Sequence, residues 1–368
     1  MQFTISRDAI IKPLQLAAGV VERRHTLPVL ANVLLTLKDN ILEITGTDLE
    51  VELIGRVRVN EGSRAGEVTV PARKLMDICK SLADDAILEF VLDDSKFVVK
   101  AGRSRFTLVT LPASDFPVTV DEPGTFELSI NGGELKSLID SCSFAMAQQD
   151  VRYYLNGMLF ELGKSWFRVV ATDGHRLAMH TTGVATAVEE VQQIIVPRKG
   201  VLELSRLLAE PSESDVTLVF GASHVRAKLK DFTFTSKLVD GRFPDYQRVL
   251  PKGGDKTLIG DKTALRQAFN RASILSNEKY RGVHLQLAKD ELRVLANNPE
   301  QEEAEDLVAV EYQQEPIEIG FNVSYLMDVL NVLDSDKVKF TLADANSSAL
   351  IESVSAADAV YVVMPMRL

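Results

Sequence analysis

Apolar residues recur along the chain in two rhythms, one helical and one strand-like, and the order in which they alternate itself repeats. Leu135, Leu138 and Ile139 have helical spacing. The stretches Arg7–Ala18, Glu134–Ala147 and Thr263–Leu275 each read as an amphipathic helix that opens a segment of chain. A second helical pattern follows a strand three times: Val70-Pro71-Ala72-Arg73-Lys74-Leu75-Met76, Val196-Pro197-Arg198-Lys199-Gly200-Val201-Leu202, and Phe321-Asn322-Val323-Ser324-Tyr325-Leu326-Met327. The interval is about 125 residues. Upstream of these, Thr47-Asp48, Thr172-Asp173 and Asn297-Asn298 each follow an apolar strand and are spaced by 125 residues. Each segment closes on a β-rich run, Arg105–Leu108, Phe232–Thr235 and Val360–Val363, leading to Pro112, Pro244 and Pro365, where proline punctuates strand ends.

A repeat this long is a duplicated domain rather than a solenoid unit. The order helix, strands, second helix, strands predicts an α+β fold: three tandem copies of a two-helix, antiparallel-sheet domain, with both helices on one face of the sheet. Asp121-Glu122-Pro123-Gly124 and Pro251-Lys252-Gly253-Gly254 read as linkers, giving expected domains 1–122, 123–253 and 254–368.

Of the 368 residues, 46% are hydrophobic and 25% charged, as in ordinary folded proteins. No apolar run approaches the roughly 18 residues of a membrane span, and Met1-Gln2-Phe3-Thr4 has no basic-then-apolar signal region, so a cytoplasmic protein with no membrane partner is expected. Cys79 and Cys142 lie within apolar patterns and read as packed thiols.

The net charge of −11 argues against a protein that coats nucleic acid with its whole surface. Its distribution changes that picture. The six predicted helices hold twelve basic and six acidic residues, so they carry +6 and the remainder −17. Taken singly, each helix reads as a solvated face; pooled, they describe a basic surface that attracts phosphates beside an acidic one that repels them. Residues 322–333, with no basic residue and Asp328, make that surface uneven.

No helix-turn-helix pair, zinc-finger spacing or aromatic ribonucleoprotein motif is present, which excludes the usual sequence-specific readers. Asp173-Gly174-His175 resembles part of a triad and Glu302-Glu303 a carboxylate pair. There is no nucleophile elbow, and neighbouring strand carboxylates point to opposite faces. Phosphate loops and dinucleotide fingerprints are absent, and His25, His180, His224 and His284 lack metal-ligand spacing. No catalytic residue, cofactor or metal is therefore assigned. Three function classes remain: a DNA-encircling scaffold, a protein scaffold without DNA, and a metal-dependent nuclease, the last weakened by the missing carboxylate cluster.

Long stretches in register carry a resemblance: Thr45-Gly46-Thr47-Asp48-Leu49-Glu50, Val151-Arg152-Tyr153-Tyr154-Leu155-Asn156-Gly157-Met158, Ala171-Thr172-Asp173-Gly174-His175-Arg176-Leu177-Ala178, Lys237–Tyr246, and Tyr361-Val362-Val363-Met364-Pro365-Met366-Arg367-Leu368. Over its whole length the chain resembles the bacterial sliding clamps, the beta subunits of DNA polymerase III. The resemblance implies the DNA clamp fold and a head-to-tail homodimer that closes six similar domains into a ring, helices inside. The implied partners are double-stranded DNA, the DNA polymerase III catalytic subunit, a clamp loader that uses the ATP, translesion polymerases, mismatch-repair proteins and DNA ligase.

It also implies site residues. Arg24, Arg73, Gln149, Tyr153 and Tyr154 match DNA-touching positions; from their residue types alone, Tyr153 and Tyr154 read as strand residues. Matching a peptide groove between the second and third domains are Leu155, Thr172, Gly174, His175, Arg176, Leu177, Pro244, Arg248, Val249, Ser348, Val362, Met364, Pro365 and Met366. Leu177, Val249, Val362 and Met364 would take leucine or phenylalanine anchors, with His175 and Arg176 as polar rim contacts. Without the resemblance, Met364 and Met366 read as a strand end filling the core. Asn346 stands where the pattern calls for an aliphatic wall. For the dimer contact, Lys74, Arg103 and Arg105 would face Glu300, Glu302, Glu303 and Glu305, with Ile78, Leu82, Phe106, Ile274 and Leu275 supplying apolar closure.

Overall fold

A computed structural model of the chain describes residues 1–22, 27–117, 119, 123–209, 215–356 and 358–367. One element order occurs three times. The first pass is β1 (Gln2–Ser6), α1 (Arg7–Val20), β2 (Asn32–Lys38), β3 (Ile41–Thr47), β4 (Val51–Arg58), β5 (Gly66–Pro71), α2 (Ala72–Ser81), β6 (Ile87–Asp93), β7 (Lys96–Ala101) and β8 (Ser104–Val109). The second is β9 (Phe126–Asn131), α3 (Gly132–Cys142), β10 (Gly157–Gly163), β11 (Trp166–Thr172), β12 (Arg176–Gly183), β13 (Gln192–Pro197), α4 (Arg198–Leu207), β14 (Asp215–Phe220), β15 (His224–Lys228) and β16 (Phe232–Lys237). The third is β17 (Lys256–Asp261), α5 (Lys262–Ile274), β18 (Gly282–Ala288), β19 (Glu291–Asn297), β20 (Glu303–Ala309), β21 (Ile317–Asn322), α6 (Val323–Val332), β22 (Lys337–Leu342), β23 (Ala349–Ser353) and β24 (Ala359–Val363).

The repeat read from the sequence is thus a repeat of ten elements, but the single sheet per copy is a misreading. Each copy splits its eight strands into two groups of four, because the strand before the first helix pairs with those after the second. Alternation of apolar and polar residues identifies strands but says nothing about which strands share a sheet.

The chain folds into two compact units, Met1–Glu134 with Leu202–Leu238 and Leu135–Val201 with Val239–Leu368, so the middle copy contributes to both. In the first unit β4 pairs antiparallel with β16, fusing two groups into an eight-stranded sheet, β5-β2-β3-β4-β16-β15-β14-β9; a four-stranded sheet, β1-β6-β7-β8, stands apart from it. In the second unit β12 pairs with β24 in the sheet β13-β10-β11-β12-β24-β23-β22-β17, beside the four-stranded β20-β19-β18-β21.

The helices pack by their apolar stripes. Ile10, Leu14, Ala17 and Val20 of α1 are buried, and α1 lies on β3, β4 and α2. The approach is close enough that a Cβ on Gly46 would stand 2.1 Å from the Ala17 carbonyl oxygen. Leu265, Ala268, Phe269 and Ala272 do the same for α5 against β19, β20 and α6. α3 ends at Cys142, earlier than the apolar pattern predicts, and a 3-10 turn follows over Ser143–Ala145. Guanidinium groups satisfy the carbonyls released there: Arg176 Nη2 donates to Phe144 O at 2.8 Å and Arg198 Nη1 to Met146 O at 3.2 Å.

Candidate partner groove and DNA-facing surface

The residues matched to a peptide groove gather on one turn and one strand pair of the second unit. In the turn, Thr172 Oγ1 donates to Arg176 O at 2.6 Å and accepts from Gly174 N at 3.1 Å. Asp173 Oδ1 accepts from His175 N at 2.9 Å and Arg176 N at 3.0 Å. Gly174 is left-handed at φ +88°, a conformation glycine holds without steric penalty. Beyond the turn Leu177 lies opposite Val362 in the β12–β24 ladder, and Met364 N donates to His175 O at 2.9 Å.

Leu155, Leu177 and Val362 are buried in one apolar cluster with Phe243 and Tyr246, and Val249 packs against it half-buried. Pro244 and Arg248 are exposed at its edge, where Arg248 Nε stands 2.9 Å from Asp245 Oδ2. Ser348 is half-buried ahead of β23, and Asn346 is exposed in a turn closed on Asp344 Oδ1 at 2.8 Å. Met364, Pro365 and Met366 are half-buried, so they do not fill the core as a plain strand end would. Met366 N donates to Gly320 O at 2.8 Å, which pins the tail to β21.

Two features correct the sequence-based expectation. Arg176 is not a rim contact. Its side chain is 12% exposed, its guanidinium lies over the rings of Phe144 and Tyr325 at 5.2 and 4.5 Å, and it bonds Asp173, Asp328 and Phe144 O. His175 does reach the surface, stacked on Tyr325 with centroids 6.4 Å apart. The second feature had no sequence signal: a buried polar network beneath the cluster. Tyr246 Oη donates to Glu161 Oε2 at 2.6 Å and accepts from Arg168 Nη1 at 2.8 Å, while Gln193 Nε2 donates to Glu161 Oε1 at 2.6 Å. Burial raises the Tyr246 pKa, and its bond to Glu161 adds to the effect. The phenol therefore remains a donor, and the network fixes the short helix Tyr246–Arg248 beside the apolar cluster.

Tyr153 and Tyr154 form a 3-10 turn with Leu155, correcting the strand reading. The strand pattern fails there because consecutive residues, the buried Leu155 and the half-buried Tyr154, pack on the same apolar cluster, while Tyr153 remains 57% exposed and edge-on to Tyr154 at 5.8 Å. Gln149, exposed and left-handed at φ +56°, lines a polar hollow of about 470 Å³ with His175, Arg176, Arg198 and Tyr325. Next to it the Arg152 guanidinium holds the Asp150 carboxyl down at about 2, by a 2.8 Å hydrogen bond. Arg73 is exposed on α2 in the first unit, and with Lys80 and Arg206 it lines a hollow of about 520 Å³. Arg24 lies outside the described residues. The observed helices hold the same twelve basic and six acidic residues as the predicted ones.

The dimer candidates sit on two sheet edges. In the first unit Lys74, Arg103 and Arg105 are exposed, and Ile78, Leu82 and Phe106 half-buried, along α2 and the edge strand β8. In the second unit Glu300, Glu302, Glu303 and Glu305 are exposed on or before the edge strand β20, with Leu275 half-buried and Ile274 73% exposed at the end of α5.

The enzyme-like arrangements resolve into structural ones. Asp173 is spent on its turn and on Arg176. Ser141 Oγ lies 2.8 Å from His180 Nδ1, but the Leu138 carbonyl oxygen at 2.9 Å competes for its proton, as in a back-bonded helical serine. Both cysteines are buried, with their thiols pushed up to about 12 by desolvation. Among the described residues no group of three His, Cys, Asp or Glu is placed to hold a metal ion, and no helix is long and apolar enough to cross a membrane.

Known proteins resemble the chain from end to end. Family profiles of the DNA polymerase III beta subunit match consecutively: the N-terminal domain over residues 1–121, the central domain over 129–245 and the C-terminal domain over 247–367. The beta sliding clamp of Pseudomonas putida is 60% identical over 368 residues, all of both chains. The crystal structure of the DNA polymerase III subunit beta from Pseudomonas aeruginosa superposes with a TM-score of 0.97 at 60% identity, covering both chains fully. A sliding clamp from the same organism bound to griselimycin gives 0.98 at 60% identity, again with full coverage.

Proposed function

Because the chain belongs to the beta-subunit family of bacterial DNA polymerase III, the sliding clamps, we propose that two copies join head to tail into a closed ring around double-stranded DNA. The carrying observation is an inventory of sheet edges. Twice within the chain, the strand that ends the first sheet group of one copy pairs with the last strand of the next: β4 with β16, and β12 with β24. Among the described residues, the same rule leaves β20 and β8 each with one side unpaired, at the edge of its own four-stranded sheet. A second chain supplies both, through a heterologous contact that two junctions close.

The internal joints also supply a register. Leu53 faces Phe234 in one, and Ala178 faces Tyr361 in the other. Gly46–Leu53, Ala171–Ala178 and Ala296–Ala304 are the same hairpin pair in the three copies, so Ala304 takes the place of Leu53. Phe106, opposite Val99 as Phe234 is opposite Ala227, takes the place of Phe234. Setting Ala304 against Phe106 brings Glu305 against Arg105 and Glu303 against Thr107. Exposed ion pairs contribute about 0–1 kcal/mol each. Burying Ile78, Leu82, Phe106, Ile274 and Leu275, at about 1.5–3 kcal/mol for each side chain fully covered, would dominate closure.

Domains 1–122, 123–253 and 254–368 would form half of a six-domain ring with its basic helices inward. Arg24, Arg73, Gln149, Tyr153 and Tyr154 would touch phosphate and sugar without reading sequence. Enclosure would retain the protein on DNA where such salt-sensitive contacts alone would not. The groove would take short peptides of the polymerase III catalytic subunit, the clamp loader, translesion polymerases, mismatch-repair proteins and DNA ligase in competition. The chain performs no catalysis in this scheme; ATP is used by the loader, and the site of action is the cytoplasm.

Crosslinking tests the proposed junction. With Thr107→Cys and Glu303→Cys in one chain, a short bis-maleimide at pH 7 is expected to yield a covalent dimer linked at both junctions. The native thiols, buried and pushed up to about 12, do not compete. Products confined to single chains would overturn the head-to-tail register.

A further inference from the structure

The turn that frames the groove occurs a second time, bond for bond, in the first unit. Thr47 Oγ1 donates to Val51 O at 2.9 Å and accepts from Leu49 N at 3.1 Å; Asp48 Oδ1 accepts from Glu50 N at 2.9 Å and Val51 N at 2.7 Å. Lys237 N donates to Glu50 O at 2.8 Å, as Met364 N does to His175 O. Glu52 faces Thr235 where Leu177 faces Val362. Pro117 follows the buried Phe116 as Pro244 follows the buried Phe243. A cavity of about 300 Å³ opens on this frame, with Leu49, Glu52, Thr119, Thr235 and Lys237 in its wall.

The frame is that of the groove, and the floor is not. Glu52 stands in the place of Leu177, Thr235 in that of Val362, and Lys237 in that of Met364. Glu52 is 8% exposed, and Thr119 Oγ1 donates to its Oε2 at 2.9 Å. Desolvation raises its pKa, while the Thr119 bond and the charges of Arg226 and His224 pull the other way. An apolar side chain pressed onto this floor would remove the remaining solvent and disrupt the Thr119 bond while offering no donor in exchange.

We infer that this junction is a sealed duplicate of the partner groove, closed to apolar peptide anchors by the Glu52 carboxylate with Thr119, Thr235 and Lys237, and that this seal limits each chain to one peptide. The inference rests on the proposed groove between β12 and β24. Specificity between the two junctions is then set by what the wrong floor excludes rather than by any difference in backbone.

The test titrates a labelled polymerase-derived peptide with leucine and phenylalanine anchors into the full-length dimer, reading stoichiometry and affinity. One peptide per chain is expected; none at all would refute the groove itself. With one established, Glu52→Leu/Thr235→Val/Lys237→Met is expected to bind two per chain, and a folded dimer that still binds one overturns the seal. The reverse exchange keeps the inference testable even if that variant does not fold. Leu177→Glu/Val362→Thr moves the seal into the groove at a register where these side chains already fold, and should weaken binding about 100-fold or more with the dimer intact. Affinity within about threefold of the original would contradict the inference.

Discussion

The turns Thr172–Leu177 and Thr47–Glu52 make the same hydrogen bonds, yet one faces an apolar floor and the other a buried carboxylate. Even the connecting segments correspond. Thr119 lies two residues after Pro117 and Tyr246 two after Pro244, and each donates its hydroxyl to a glutamate. In the first unit that glutamate, Glu52, is the floor itself. In the second it is Glu161 on β10, beneath the cluster, so the floor stays apolar. Duplication therefore fixes a hydrogen-bonded frame, and a few side chains at set register positions decide whether the frame opens or seals. The frame even tolerates a poorly suited residue: Leu49 holds φ +78° where Gly174 holds φ +88°. That conformation costs a non-glycine residue about 1–3 kcal/mol.

Four tests would break or sharpen this contrast, from largest to smallest. Deleting Met364–Leu368 removes one wall and the bond to His175 O. Peptide affinity should fall about 100-fold or more by fluorescence anisotropy while sedimentation still shows a dimer. Next, Tyr246→Phe takes a donor from Glu161 and an acceptor from Arg168. A lower urea midpoint is expected, corresponding to about 1–3 kcal/mol, with weaker peptide binding because the groove edge loosens. At the turns themselves, Gly174→Leu should destabilise by about 1–3 kcal/mol, whereas Leu49→Gly should be neutral or stabilising by up to about 1 kcal/mol; equal effects would refute the argument from backbone strain. The smallest effect is one of pH. The Glu52 carboxyl is raised in the folded protein, so its contribution to stability is fully present below its ordinary pKa of 4.5 and is lost as pH rises through the folded value. Urea midpoints of the native chain relative to Glu52→Gln should therefore fall as pH rises from 4.5, then level off.

The helical stripes and the 125-residue interval made the threefold organisation legible, since both depend on local periodicity. The pairing of β1 with β6 and of β4 with β16 was not legible, because strand partners are chosen by long-range burial that alternation does not encode. At the groove, residue types marked Leu177 and Val362 as apolar but did not reveal that Arg176 turns inward between Phe144 and Tyr325. Nor did spacing join Glu161, Arg168 and Tyr246, whose hydrogen bonds span 78 and 85 residues. The sealed junction is the clearest case: no periodicity or motif singles out Glu52, whose part depends on its burial and its bond to Thr119.

The central claim, that the chain works by enclosure, is tested most directly on nicked circular DNA loaded by the cognate loader with ATP. Enclosure predicts that the protein survives a high-salt wash on the intact circle and is released when a nuclease linearises it. Loss to salt alone, with no effect of cutting, would mean that surface charge holds it and would contradict the ring.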